Sequence, residues 1–276
     1  MSCTNITKHS ATSLVDFHVH STFSPDAEDT IDTMCEAAAR AGLAEICFTD
    51  HADFEPKDQG HGYLRFETYR EAVERASKKW EGTLAVRLGV EADYQTWYAG
   101  QVKEFISKRS FDFVLGSVHW VDSLSVTGEV FDTCGVEEAC RRYLSAVLDL
   151  ARSGMCDALA HLDVVKRYAF ERYGKVRLRA FSDEIEAVLR ALIERGTALE
   201  INTSGLRRTI HETLPDYETL ELYRHLGGEL ITFGSDAHRA SDVGFAIPYA
   251  VDMARSAGFR YITAFRNRQP YFICIG

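Results

Sequence analysis

The stretch DFHVHSTFSPDAEDT, residues 16–30, contains the pattern on which the fold prediction rests. It follows two apolar residues and places His18 and His20 on either side of one valine. Side chains alternate along a β-strand, so both imidazoles point to the same side of such a strand. Asp26 follows in a Ser-Pro-Asp turn. The stretch therefore predicts a buried strand whose end presents two histidines and, just beyond them, a carboxylate.

Six further apolar runs follow the first one along the chain. Their length and their β-branched and aromatic content are typical of buried strands. The seven predicted strands span Leu14–His20, Ala44–Asp50, Leu84–Asp93, Phe111–His119, Cys156–Asp163, Thr197–Thr203 and Leu230–Asp236.

Helical patterns lie between these runs, and glycines end three of them. TIDTMCEAAARAGL contains Gly42 as a C-terminal cap, and GVEEACRRYLSAVLDLARSG ends on Gly154. FSDEIEAVLRALIERG ends on Gly196, with Ser182 as the expected N-cap. The sequence therefore predicts a regular alternation of strands and helices.

This alternation predicts a parallel, barrel-like α/β fold. A doubly wound open sheet is the competing topology, and periodicity does not distinguish the two. No Pro/Gly/Ser-rich linker divides the sequence, so we expect residues 1–276 to form a single domain.

The composition limits the class of partner. The chain is 46% hydrophobic, enough for a substantial core, and 41 acidic against 31 basic residues give a formal charge of −10. This balance argues against a long nucleic acid or an anionic membrane surface as partner. A small anionic substrate remains compatible with it, provided that placed arginines or metal ions attract that substrate.

Cysteine usage and the N-terminus predict a cytoplasmic protein. Seven cysteines occur without a C-x-x-C pair, which favours reduced thiols over a disulfide framework. Residues 1–13 lack the apolar segment of a signal peptide. No apolar run approaches the roughly 18 residues needed to span a bilayer, so we expect no membrane insertion.

Histidines and carboxylates occur at the ends of most predicted strands, where parallel α/β folds bind ligands. One such residue is usually a hydrogen-bonded polar group, and Asp26 alone is best explained as a turn residue. Burying many of them without compensation would cost several kcal/mol each, so their number favours metal binding. Nitrogen and oxygen ligands without thiolate suit zinc, manganese or iron. The strand-end residues are His18, His20, His51, Glu91, His119, His161, Asp236 and His238.

The motifs that carry these residues resemble those of the PHP (polymerase and histidinol phosphatase) superfamily of metal-dependent phosphoesterases. They are HVH at 18–20, TDH at 49–51, GVE at 89–91, SVH at 117–119, AHLD at 160–163 and SDAH at 235–238. Within the superfamily the chain is most similar to stand-alone histidinol-phosphate phosphatases. The resemblance implies a distorted (β/α)7 TIM-like barrel with a metal site at the C-terminal ends of the strands.

The resemblance also implies two to three divalent metal ions. Some members of the superfamily carry a histidine where Asp26 stands, so Asp26 departs from one version of the pattern. The first ion would be held by His18, His20, Glu91 and Asp236, the second by Glu91, His119 and His161, and the third by Asp26, His51 and His238.

The chemistry implied is hydrolysis of a small phosphomonoester, above all L-histidinol phosphate, by a metal-bound hydroxide. Three alternatives remain at this stage. One is a PHP phosphoesterase acting on another small phosphate ester or a nucleotide. Another is a barrel metallohydrolase that cleaves an amide, and the last is a metal-dependent binding protein without catalysis.

Arginines just beyond strand ends are candidates for binding the phosphate, because a guanidinium binds phosphate oxygens bidentately. Arg167 follows the fifth predicted strand, and Arg207 follows the sixth. Solvent-exposed basic residues are the alternative interpretation of both. Some relatives carry an arginine directly after INT, where this chain has Ser204, so Arg208 is a third candidate.

The alcohol part of a histidinol phosphate would require acidic and aromatic partners. The loop after the second predicted strand offers Asp53 and Tyr63, and Trp120 adjoins His119. Together with Ser204 and Arg208, these residues are the predicted substrate contacts.

Overall fold

Strands and helices alternate along the part of the chain that the computed structural model describes, residues 14–174 and 178–276. The strands are β1 (Leu14–Val19), β2 (Leu43–Phe48), β3 (His51–Ala52), β4 (Ala85–Asp93), β5 (Phe113–Ser117), β6 (Trp120–Val121), β7 (Leu124–Ser125), β8 (Ala158–Leu159), β9 (Ala198–Asn202), β10 (Ile231–Gly234), β11 (Tyr261–Arg266) and β12 (Gln269–Cys274). The helices are α1 (Ile31–Arg40), α2 (Phe66–Lys79), α3 (Ala99–Ser107), α4 (Glu129–Ser153), α5 (Val165–Tyr173), α6 (Ser182–Arg195), α7 (Tyr217–His225) and α8 (Ile247–Ser256).

Seven parallel strands form a nearly closed ring in the order β1-β2-β4-β5-β8-β9-β10. The short strand β3 pairs with the end of β4 and sets His51 opposite Glu91. The carboxyl ends of all seven strands face the same way, since every pair is parallel. The predicted distorted (β/α)7 barrel is confirmed.

The first and last strands of the ring close it through their ends. The backbone N–H of Asp236 donates to the His18 carbonyl at 2.8 Å. The fully buried Asp16 carboxylate accepts from the backbone and hydroxyl of Ser235, and from the Gly244 N–H at 2.9 Å. One carboxylate of β1 therefore binds the segment that follows β10. This closure excludes the open doubly wound sheet.

Aromatic packing and a hairpin seal the opposite end of the ring. The Phe113 ring of β5 lies 5.4 Å from that of Phe17 in β1 and 5.0 Å from that of Phe265 in β11. Strands β1 and β5 are not neighbours, so the first contact crosses the ring. Arg268, between β11 and β12, donates to the Asp157 carboxylate at 2.9 Å. The polar site is thereby confined to the carboxyl end.

The three glycines predicted to end helices adopt left-handed backbone conformations. Their φ angles are 73° at Gly42, 66° at Gly154 and 67° at Gly196. A side chain is disfavoured in this region, which explains why glycine follows these helices.

One detail of the helix prediction is wrong. Ser182 is the first residue of α6 and not its N-cap; Phe181 holds that position without a side-chain hydrogen bond. Gly135, with φ 77° and ψ 171°, interrupts α4, so the predicted helical run begins at this break, and the helical segment from Glu129 that precedes it was not predicted.

The described residues also show the state of the cysteines and the character of the helices. The six cysteines within them are free, and Cys47 and Cys156 are buried in the core, as expected of reduced thiols. No helix there is long and apolar enough to cross a bilayer. The first 13 residues, on which the absence of a signal peptide was argued, lie outside the described part.

We predict that Gly89→Ala destabilises the barrel. A Cβ at this position of β4 would lie 2.7 Å from both the Cys47 sulfur and the Phe48 carbonyl oxygen. Overpacking of this kind lowers the melting temperature of a chain of this size by about 3–10 °C. Thermal unfolding followed by circular dichroism measures the effect.

Gly100→Ala is the matched control, since no atom lies within 4 Å of its added Cβ in α3. Alanine is the better helix former, so this variant should melt at or slightly above the wild-type temperature. Equal melting temperatures for the two variants would show that the strand has room at Gly89.

Candidate metal centre

The predicted donor side chains meet at the carboxyl end of the ring. Each reaches the centre from the end of a strand or the loop that follows it, except Glu91, which projects from within β4. The group brought together is His18, His20, Asp26, His51, Glu91, His119, His161, Asp236 and His238.

One oxygen of Glu91 faces the first group of donors. Glu91 Oε2 lies 3.3 Å from His18 Nε2 and 3.4 Å from His20 Nε2. The two Nε2 atoms are 3.0 Å apart, and each lies 3.7 Å from Asp236 Oδ1. These four side chains converge on a common point, as the resemblance implied for a first ion.

The other oxygen of Glu91 faces a second group. Glu91 Oε1 lies 3.0 Å from His161 Nε2 and 3.5 Å from His119 Nε2. Glu91 is 1% exposed, so neither oxygen has bulk water as an alternative partner. A single buried carboxylate thus connects two sets of imidazoles.

A third group surrounds Asp26, nearer to the surface. Asp26 Oδ2 lies 3.2 Å from His238 Nε2 and 3.6 Å from His51 Nε2. The rings of His51 and His238 each lie against the His20 ring, with centroid distances of 4.3 and 4.2 Å, and lie 5.9 Å from each other. This group is therefore in contact with the first one.

Several buried donor atoms of the centre have no hydrogen-bond partner among the described residues. They are Glu91 Oε2, His51 Nδ1 and His161 Nδ1. An unpartnered buried carboxylate oxygen close to imidazole nitrogens would be costly without a cation. In four triplets of these side chains, one ligand atom from each residue lies within 4.8 Å of the others. The donor set fits divalent metal ions.

The buried charges of the centre shift the pKa values of its side chains in both directions. Burial alone would raise the pKa of Glu91, but the imidazoles of His18, His51 and His119 hold it well below its usual value. Burial, together with His238 and His51, lowers the pKa of His20 well below its ordinary value. Burial opposes protonation of His18, His51 and His119, but neighbouring carboxylates raise the pKa of all three rings well above its ordinary value. Metal ligands must be neutral imidazoles, so ions would displace protons from these three rings.

Glu200 of β9 orients two of the donors, and the sequence interpretation did not identify it. Its Oε1 accepts from His18 Nδ1 at 2.7 Å, and its Oε2 accepts from the His161 backbone N–H at 2.7 Å. Asn202 Nδ2 donates to the same carboxylate at 3.1 Å. The bond to Nδ1 turns His18 Nε2 toward the centre. An acid within the buried run ALEIN was the available signal.

Two further buried acids support the centre from behind. Asp50 accepts from the Ser24 hydroxyl at 2.7 Å, and that hydroxyl contacts His20 Nδ1 at 3.2 Å. Asp93 Oδ1 accepts from the His119 backbone N–H at 2.7 Å, and burial raises the pKa of Asp93 to about 7. His119 Nδ1 also lies 3.9 Å from Asp53.

A cavity of about 580 Å³ opens above the donors. Of the predicted substrate residues, Tyr63 does not line it, and its side chain is 44% exposed. The remaining ones all do: Asp53, Trp120, Arg167, Ser204, Arg207 and Arg208.

The three predicted phosphate-binding arginines differ in how they are held, and a fourth arginine, Arg239, also lines the cavity. Arg207 donates to the carbonyls of Ser235 and Asp236 at 2.7 and 2.6 Å, so its guanidinium supports the segment that carries a metal donor. Arg167 lies 4.4 Å from the Tyr168 ring centroid and donates to the Tyr168 hydroxyl. Neither Arg167 nor Arg208 forms an ion pair within residues 14–174 and 178–276. These two arginines remain available to an anion.

Comparison with known proteins places these features in a family context. The model of the PHP domain matches residues 16–204. A histidinol-phosphatase of Lactococcus lactis is 31% identical over 255 residues, which cover 91% of this chain and 94% of that protein. A probable histidinol-phosphatase of Thermotoga maritima is 30% identical and covers 90% and 94%, respectively.

Solved structures agree with the sequence comparison. The crystal structure of a histidinol phosphate phosphatase from Lactococcus lactis, complexed with zinc, L-histidinol and phosphate, superimposes with a TM-score of 0.87 at 29% identity. The match covers 95% of this chain and 100% of that one. A second crystal structure, from Listeria monocytogenes, shares the fold at 20% identity and a TM-score of 0.75, and the match covers 85% of this chain and 99% of that one.

We predict that Glu200→Gln weakens metal binding. The substitution keeps the shape of the side chain but removes the charge that holds His18 Nδ1. Loss of such a supporting partner typically lowers metal affinity about 10- to 100-fold. Zinc affinity, measured by competition with a chromophoric chelator, tests the prediction. Glu194→Gln, at an exposed position of α6, is the control and should bind zinc as the wild type does. Unchanged affinity in both variants would contradict a supporting role for Glu200.

Proposed function

This chain belongs to the PHP domain family, and we propose that it is a metal-dependent phosphomonoesterase that hydrolyses L-histidinol phosphate to L-histidinol and phosphate. The proposal extends to two or three divalent ions, zinc, manganese or iron, bound by the nine donors of the centre. It covers the whole chain, residues 1–276, as one catalytic domain.

The arrangement around Glu91 carries this proposal. Its two oxygens face separate sets of imidazoles at 3.0 to 3.5 Å, beneath a cavity bordered by arginines. Ions held on either side of one carboxylate are suited to a substrate whose reacting atom carries several oxygens. A phosphate monoester has this form. An amide, the rival class, gives the arginines no anion to bind.

The donors divide by the ion that each group would hold. The first ion would be held by His18, His20 and Asp236, and the second by His119 and His161. Glu91 would contribute to both ions. Asp26, His51 and His238 would hold the third. Bound divalent ions supply a nucleophile from water near neutral pH and neutralise charge on the phosphate.

The residues of the chain itself bind and orient the ester. Arg167 and Arg208 line the cavity without a carboxylate partner in the described ranges, so their guanidinium groups are free to bind phosphate oxygens. Arg207 contributes through the backbone of Ser235 and Asp236, whose carbonyls it binds. Ser204 is 1% exposed, and its hydroxyl has no hydrogen-bond partner among the described residues, which leaves it available to the same anion.

We further propose a cytoplasmic location, in keeping with the free thiols of Cys35, Cys47 and the other described cysteines. The partner would be a small phosphorylated metabolite. Neither a long nucleic acid nor a membrane is part of the proposal.

The proposed activity is tested with a substrate panel. The purified protein is analysed for bound metals and assayed for phosphate release from L-histidinol phosphate, sugar phosphates, nucleotides and p-nitrophenyl phosphate. We expect L-histidinol phosphate to have the highest kcat/KM. Glu91→Ala, which removes the carboxylate shared by two ions, should abolish release and lower the metal content.

The possible results separate the parts of the proposal. If a different ester has the highest kcat/KM, the proposed metal-dependent hydrolysis remains and the proposed substrate is wrong. Absence of turnover by the metal-loaded protein, or full activity of Glu91→Ala with full metal content, would overturn the phosphatase function.

Arg167 and Arg207 should behave differently when replaced. Arg167→Ala removes a cation from the cavity and should lower kcat/KM about 10- to 100-fold at unchanged metal content. Arg207→Ala also removes support from the segment of Asp236, so it should lower metal content as well. Arg75→Ala, at an exposed position of α2, is the control. Steady-state kinetics and metal analysis on the same samples measure both effects. Loss of metal in Arg167→Ala would contradict the distinction between a phosphate-binding Arg167 and a supporting Arg207.

A further inference from the structure

Apart from the metal donors and the ion pair of Asp242 with Arg207, the charged side chains of the cavity are segregated by sign. Arg167, Arg208 and Arg239 follow β8, β9 and β10, three consecutive strands of the ring. Asp53 and Asp58 lie in the loop after β3, on a separate arc. The cavity therefore has a cationic side and an anionic side.

Asp58 is the acid of this anionic side that has unused capacity. Its Oδ2 accepts from Trp120 Nε1 at 2.6 Å, and its Oδ1 accepts from the Gly60 N–H at 2.7 Å. A carboxylate offers about four acceptor positions, so roughly two remain. No basic side chain in the described ranges forms an ion pair with it. The half-buried carboxylate is thus held in place without a counter-cation.

The other acids near the cavity are already engaged. Asp53 is buried and faces His119 Nδ1. Glu55 is buried, accepts from the Ser123 hydroxyl at 3.1 Å and does not line the cavity. Asp242 does line it, on the cationic side, but lies 3.4 Å from Arg207 Nε. Asp58 is accordingly the acid best placed to receive a cation from a ligand.

The loop that carries Asp58 is tied to the opposite hairpin. Lys57 Nζ donates to the Ser123 carbonyl at 3.0 Å, and Trp120 of β6 holds Asp58 itself. The Asp58 carbonyl accepts from the His61 N–H at 3.1 Å. These contacts fix the carboxylate before a ligand arrives, which reduces the entropy lost on binding.

We propose that Asp58, held by Trp120, binds the cationic group of the substrate alcohol, so that the cavity selects phosphomonoesters of amino alcohols. The phosphate binds on the arginine side above the metal donors, and the ammonium binds on the Asp58 side. This inference rests on the proposed function, because it assigns the part of the ester that the phosphate-binding residues do not recognise. Asp58 is thereby a specificity residue.

The test compares esters with and without a cation in their alcohol part. In Asp58→Asn, kcat/KM for L-histidinol phosphate should fall at least about tenfold, mainly through KM, because a charge-assisted hydrogen bond is lost. The kcat/KM for p-nitrophenyl phosphate should stay within about twofold. Glu81→Gln, an exposed acid outside the cavity, is the control and should leave both values unchanged.

A binding measurement separates this inference from the proposed function. Calorimetric titration with L-histidinol, and separately with inorganic phosphate, uses the metal-loaded protein without turnover. Asp58→Asn should weaken L-histidinol binding at least about tenfold and leave phosphate binding unchanged. Equal L-histidinol affinity in wild type and variant overturns the inference, whatever the protein hydrolyses. Equal losses for both esters overturn it too, because Asp58 would then only support its loop. If no ester is hydrolysed but L-histidinol binding depends on Asp58, the proposed function fails and the cation site stands.

Discussion

The Glu91 carboxylate is buried among imidazoles, and most of the polar side chains at the open end of the barrel compensate that one charge. An isolated carboxylate at this depth would be strongly destabilising. Histidines from four strand ends surround it, and acids behind them fix which ring nitrogen points inward. Divalent ions complete the compensation, so ion binding and the folding of this end are coupled.

The barrel makes this concentration of charge possible because it separates two kinds of interior. Its closed end is filled by Phe17, Phe113 and Phe265 and covered by the last hairpin. Its open end receives every strand terminus at once, since all strands of the ring are parallel. Residues far apart in sequence thus meet without long side chains, and the Asp16 carboxylate keeps the ring from opening at its seam.

Much of this could be predicted from local pattern. The HVH and SDAH motifs lie at strand termini, and a parallel fold brings such termini together, so eight donors could be named from the pattern, while Asp26 was added only by the family resemblance. The role of Glu200 could not, because the acid within ALEIN shows only that a buried charge is present, and the partners of that charge are 39 and 182 residues away. The role of Arg207 could not be predicted either, because its guanidinium binds backbone carbonyls. The role of Asp58 could not be predicted because it depends on the contact with Trp120. The N-terminal part of α4 and the two hairpins likewise depend on what they pack against.

Glu200 also makes the donor groups interdependent. One of its oxygens binds His18, a donor of the first group, and the other binds the backbone of His161, a donor of the second. Glu91 joins the same two groups from the opposite side. An ion that fixes one group therefore orders part of the other before a second ion arrives. Occupancy should rise more steeply with free metal than independent sites would allow, and partly loaded molecules should be scarce.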